Sequence, residues 1–426
     1  MTQEPGADRA VDEAAASAFL LDLAKALHLA YQPAPLVEAR VRRAAKAWGL
    51  DMEVFTLQSV ALTEVVSPGR SRVAFVRLPF NPHWNLGRAA ALLRLAEAIH
   101  EGRVRLPEAR AELERVLKTR SPYPEWLVFV AYGVYGAAVA ARVGGAWLEM
   151  FVAFFVGVIA GVIHFGTLRS QRLDLQKSFV AAFLGTLVAL GFTFLLPRFS
   201  VVRALFGGVT LLVPAMVVTL GSLELALESV EAGLPRLMYG VMRFLMLGVG
   251  IAAAGTLWGF GGPLPPHFEA HALPPLLTFL LVGVGGVALS VCMSGRPRDV
   301  AWIVGGVLLA YEAQAVMKLL LGDRGSPLVA AFVLGVAGLL YGRGRDRMPM
   351  TVIMPGMLQL APGFIGTEAV VALLGAGSAG ADDARLFNVL LVALQLVLGL
   401  VLASVVVPPR LPVERDSPVP PSAGSA

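Results

Sequence analysis

Only one cysteine, Cys292, occurs in 426 residues. An internal disulfide is excluded, and no Cys/His spacing suggests a metal site. Charge is scarce as well. Lys, Arg, Asp and Glu make up 15% of the chain, against about 25% in a soluble globular protein. The net charge of +5 is modest, and no basic tract of the nucleic-acid-binding kind is present. No secretory leader pattern opens the sequence. Glu4, Asp8, Asp12 and Glu13 come first, and Asp22 and Lys25 break the apolar stretch that follows. The N-terminal segment is therefore expected to stay on the side where it is made. Residues 1–123 offer no nucleophile constellation, no paired carboxylates and no Gly-rich phosphate loop. Their His28, His83 and His100 share no ligand spacing. The reading is of a non-enzyme without metal or cofactor.

What the chain has in excess is apolar sequence: 56% of residues are hydrophobic, with a mean hydropathy of +0.70. Residues 1–123 hold 31 of the 65 charges. A soluble segment of roughly 120 residues thus precedes a membrane segment of roughly 300. In the soluble segment, Phe19, Leu23 and Leu27 share a helical face, and Val37, Val41, Ala44 and Trp48 share another. β-branched runs near 51–57, 60–66 and 71–78 read as strands, with a turn at Pro68-Gly69. Helices near 84–100 and 107–119 complete an α-α-β-β-β-α-α order.

A crossing helix needs about 20 apolar residues. Ten such runs are expected, near 126–142, 146–166, 178–197, 203–223, 237–258, 275–294, 300–321, 326–342, 349–374 and 386–408. They divide into a module over 124–258, a linker over 259–274 and a module over 275–408. The Pro/Ser-rich 409–426 reads as a disordered tail. Five spans per half invert the second half relative to the first, so the expectation is a mainly α, polytopic 5+5 inverted repeat behind an N-terminal α+β cytoplasmic domain. Lys/Arg placement sets the orientation. Arg169, Arg172, Lys177, Arg236, Arg296, Arg298, Arg343, Arg345 and Arg347 fall in loops on one side. Fewer fall on the other: Arg142, Arg198, Arg203, Lys318, Arg324 and Arg385. Both termini are predicted to be cytoplasmic.

Two spans carry a similar interruption. Residues 210–216 read Thr-Leu-Leu-Val-Pro-Ala-Met, and residues 351–357 read Thr-Val-Ile-Met-Pro-Gly-Met. Proline removes a backbone donor and clashes one turn back. In lipid such a break persists where protein or a polar cavity satisfies the freed groups. The ninth span holds a second Pro-Gly pair at Pro362-Gly363. The candidate substrate site is therefore Thr210, Pro214, Thr219 and Ser222 with Pro355, Gly356, Gln359, Pro362 and Gly363. Ionisable groups inside spans are costly and usually functional, which makes Glu312, Glu224 and Glu368 the candidates for proton coupling.

On these residues the chain resembles the threonine/serine exporter family, over about residues 16–408. The resemblance rests on Asn85-Leu86, Leu106-Pro107-Glu108-Ala109, the stretch from Leu211 to Pro214 and on to Ser229–Arg236, Gly295-Arg296-Pro297-Arg298, Trp302, and the Pro355-Gly356 and Pro362-Gly363 pairs. It implies a bacterial inner-membrane exporter of small hydroxy amino acids, driven by the proton-motive force, with both modules fused in one chain. Its partners would be an amino acid, the proton and the bilayer, with a homo-oligomer allowed. Two departures stand out. Pro214-Ala215 replaces the family's usual Pro-Gly, and Glu224 stands where an Arg-Asp pair is usual. The alternative reading is a non-transporting membrane protein whose head signals or assembles partners.

Overall fold

The computed structural model describes residues 13–67, 70–78, 85–167, 176–196, 198–259, 272–322, 325–344, 347–360 and 382–408. Among these the chain is mainly helical. Residues 13–118 hold α1 (Glu13–Leu29), α2 (Ala34–Ala47), β1 (Met52–Thr56), β2 (Val60–Ser67), β3 (Arg70–Arg77), α3 (Leu86–His100) and α4 (Leu106–Lys118). The strands form an antiparallel sheet in the order β1-β2-β3. Phe55 pairs with Leu62, and Leu62 with Phe75. Strand residues alternate faces, so Met52 and Val54 face inward onto Phe19, Leu23, Leu27, Val37 and Val41, together with Leu92 and Ile99. Asn85 caps α3 by accepting from the Arg88 amide at 2.8 Å, as a short polar side chain at that position should.

The apolar region continues as α5 (Glu125–Arg142), α6 (Trp147–Thr167), α7 (Gln176–Gly191), α8 (Val201–Val209), α9 (Ala215–Ala226), α10 (Val230–Leu257), α11 (Pro275–Cys292), α12 (Val300–Leu321), α13 (Ser326–Tyr341), α14 (Met350–Leu360) and α15 (Asp382–Val406). Five helical stretches among the described residues are long and apolar enough to cross a membrane: Trp147–Gly166, Gln176–Phe194, Val230–Leu257, Pro275–Cys292 and Pro297–Leu321. A sixth crossing is made if Val201–Leu212 and Met216–Ala226, bent by 54°, count as one. This is a membrane protein.

Packing follows a recurring order. α5 packs on α6 and α8, α6 on α7 and α8, and α7 on α10. In the second set α11 packs on α12, α12 on α13 and α14, and α13 on α15. The sets meet where α5 lies on α11 and where α9 touches α14 and α15. Small residues make the close approaches, as expected where lipid gives helices no hydrophobic drive to associate. A Cβ on Gly157 would come 2.6 Å from the Tyr132 carbonyl. Glu149 ties the first set together at one end. Its carboxylate accepts from the amides of Ala146 at 2.9 Å and Ser200 at 2.7 Å.

Two expectations are corrected here. Pro355 does not break its helix: α14 runs unbroken from Met350 to Leu360 across it. The missing donor leaves one carbonyl, that of Thr351, without its partner one turn on, and α14 packs against α12 and α13. Arg236 is not in a loop. α10 begins at Val230, continues over Pro235 and buries Arg236.

Candidate functional site

The bend at Pro214 is a real interruption. A short 3-10 turn covers Thr210–Leu212, Val213 is extended, and α9 starts directly after Pro214. The start of a helix is where a proline costs least, because the donor it lacks has no helical partner. α9 and α14 then face each other across a cavity of about 50 Å³. Met216, Thr219, Leu220 and Leu223 line it from α9, and Met350, Ile353, Met354 and Met357 from α14. Residues 13–118 border it with Tyr31, Gln32, Leu86 and Ala89.

The expectation of a polar pocket is therefore only partly met. Of the seven candidate substrate residues among the described residues, Thr219 alone lines this cavity. Ser222 is buried but turns its hydroxyl to the Val218 carbonyl at 2.9 Å. Thr210 is half-buried in the turn before Pro214. Gly356 is a packing residue, since a Cβ there would meet Leu334 and the Gly306 carbonyl. Gln359 is buried, and its main-chain carbonyl accepts from Arg142 at 2.6 Å. Pro362, Gly363 and Glu368 lie outside the described residues. Methionine and leucine line most of the wall, and the space suits one or two waters at about 30 Å³ each. Small-molecule sites usually offer about 300–1,000 Å³. The cavity is narrow and largely apolar.

The three candidate carboxylates fare differently. Glu312 is exposed on the outer face of α12, in line with exposed Gly305 and Val316, and is not among the residues lining the cavity. Glu368 lies outside the described residues. Glu224 is fully buried at the end of α9. One oxygen accepts from the Ala34 amide at 3.0 Å, and the other lies 3.1 Å from Arg236 Nε. Ala34 opens α2, and the preceding Pro33 supplies no side-chain cap. Glu224 thus caps that helix from the membrane side, with its negative charge at the positive end of the helix dipole. Arg236 Nε also donates to Gln58 Oε1 at 2.7 Å. His28 is buried beside this cluster, and neither ring nitrogen finds a hydrogen-bond partner in good geometry. Burial first, then the charge of Arg236, holds His28 well below its ordinary value, at about 3, against a small opposing pull from the Gln58 backbone.

A second contact lies across the cavity. The Leu86 amide donates to the Met293 carbonyl at 2.9 Å, and the Gly87 amide to the Ser294 carbonyl at 3.3 Å. Ala89 and Ala90 pack against Met348, just before α14. Arg236, Gln58 and Arg142 were not singled out as site residues from the sequence. The usable signal was charge beside the breaks: Arg236 follows Pro235, and Arg142 ends an apolar run.

With this geometry in view, comparison with known proteins is informative. The model of the family ThrE, described as "Putative threonine/serine exporter", matches residues 18–258. The chain belongs to the ThrE family. Among curated relatives, pheromone-regulated membrane protein 10 of Candida glabrata is 24% identical over 370 residues, covering 82% of this chain and 45% of that protein. Its counterpart in Saccharomyces cerevisiae is 26% identical over 278 residues, covering 61% of this chain and 70% of that protein. The chain thus spans less than half of the Candida glabrata relative. No solved structure matches it.

Proposed function

We propose that this ThrE-family chain is a secondary transporter that exports small hydroxy amino acids, threonine and serine, or related small polar metabolites, using the proton-motive force. It would sit in a bacterial cytoplasmic membrane with both termini inside and residues 1–123 as a cytoplasmic α+β head. One observation carries the reading: helices from the two halves of the apolar region, one of them starting at a proline break, line a cavity between them. Transport sites form where interrupted helices of two repeats meet near the midplane.

The order of helix packing supports the inverted repeat. First-to-second, second-to-third, second-to-fourth and third-to-fifth contacts recur in both sets. Matching the sets this way pairs α8 with α14, and it changes which prolines correspond. Leu212-Val213-Pro214-Ala215 aligns with Leu360-Ala361-Pro362-Gly363, not with Pro355. The glycines six residues earlier then coincide. Gly208 lies against Gly157 of α6, and Gly356 against Gly306 of α12. Pro214 and Pro362 are the proposed functional pair, with Thr210, Thr219, Ser222 and Gln359 near them as substrate contacts in an open state. Glu224 is the favoured proton-coupling group, because it is buried at the inner end of a cavity-lining helix.

Counterflow in proteoliposomes over a panel of amino acids, with and without an imposed pH gradient, tests the reading. Threonine or serine should exchange, and the gradient should drive net movement. A protein that moves no member of the panel under either condition would contradict it.

A further inference from the structure

We propose that the head, residues 13–118, is the inner gate of the transport path, latched shut by the seam around Glu224 and Arg236. The inference rests on the transport reading above. It explains why the cavity between α9 and α14 has a lid made of Tyr31, Gln32, Leu86 and Ala89, none of which belongs to an apolar span.

The two sides of the seam differ in kind. On the α3 side the contact is made by main-chain bonds from Leu86 and Gly87 to Met293 and Ser294, by the apolar cluster of Ala89, Ala90 and Met348, and by Leu86 within the core that holds Met293, Met354 and Leu358. Such a contact persists at any pH and in any salt. On the α2 side Tyr31 packs in that same core beside Leu220, but the polar contact is made by side chains, Arg236 meeting Glu224 and Gln58 while Glu224 accepts from the Ala34 amide. A buried pair of this sort holds well when complete and fails sharply when one member is removed. The head also bridges the two helix sets, since Glu224 and Arg236 belong to the first and Met293 and Met348 border the second. Any rocking of one set against the other must pull open the α2 side or the α3 side. The α2 side is the one built to open, with the α3 side acting as the hinge. Opening there exposes Thr219 and Met216 to the inner solution while the main-chain contacts stay in place.

Chemical access to the cavity tests this without any transported substrate. In full-length Cys292→Ala protein carrying Thr219→Cys, N-ethylmaleimide should modify the new thiol slowly. Adding Glu224→Gln should speed modification about tenfold, the scale of losing a hydrogen bond to a charged group. Gln58→Ala, a milder change on the head that leaves both charges in place, should speed it in the same direction. Gel filtration of each variant reports whether it remains folded. Equal rates with and without Gln58→Ala in folded protein would overturn the gate. The outcomes separate the two proposals. Accelerated labelling in a protein that moves no amino acid leaves the gate standing and removes the exporter reading. Confirmed transport with unmoved labelling removes the gate alone.

Discussion

Glu224 and His28 sit a few side chains apart, and each is intelligible only through the other's neighbour, Arg236. Glu224 is a buried carboxylate compensated by Arg236 and the Ala34 amide. His28 is a buried imidazole kept neutral by burial and by that same arginine. Its folded value of about 3 lies below the ordinary 6.5, so the neutral ring contributes stability that is complete above pH 6.5. That stability is lost progressively as pH falls from 6.5 toward 3. At pH 5.5 the loss is on the order of 1 kcal/mol. Thermal unfolding of the full chain should therefore show a lower midpoint at pH 5.5 than at pH 7.5, and His28→Leu should flatten that difference. A variant whose midpoint falls with acid as steeply as the parent's would show that other groups set the dependence. None of this was legible in sequence. His28 reads as one more residue on an amphipathic helix, and Glu224 stands out only as an ionisable group in an apolar run, its partners unread, because contacts 190 residues apart leave no local periodicity.

At the level of elements, periodicity served well and proline served unevenly. The helix and strand order of residues 13–118 follows from where Phe19, Leu23, Val37 and the β-branched runs fall, since each local pattern agrees with the face it buries. Pro214 marks a break, and Pro355 does not. The difference lies in position. Pro214 precedes a helix start, whereas Pro355 costs α14 a single hydrogen bond inside a well-packed cluster. Glycines were legible as packing residues but not as particular contacts. The structure now separates them. Gly208 and Gly356 have no room for a side chain, while nothing lies within 4 Å of a Cβ placed on Gly305. Gly208→Val and Gly356→Val should each cost about 1–3 kcal/mol through overpacking. Gly305→Val should stay within about 0.5 kcal/mol of the parent. Thermal melts in detergent check this, and a Gly305 variant as damaged as the other two would mean that α12 is covered on its outer face.

Taken as a whole molecule, the chain is two similarly packed helix sets with a folded segment across one end of their seam. Composition separated the charged N-terminal region from the apolar region, and the prolines at 214 and 355 pointed to helices that do come together. The cover could not be read from sequence, because its contacts join residues 30–90 to residues 216–357 and no single stretch encodes them. Nor could the apolar lining of the cavity. Of the chosen polar residues, Ser222 spends its hydroxyl on the Val218 carbonyl, and Gln359 is buried away from the cavity lining. The central claim is that substrate passes between α9 and α14. Met354 lines that passage, so Met354→Trp fills it with a side chain too large to move aside. Threonine counterflow by purified Met354→Trp in proteoliposomes should drop to the level of empty liposomes, with Leu319→Trp on the exposed face of α12 exchanging at the parent rate. Full exchange by folded Met354→Trp would place the path elsewhere and contradict the account.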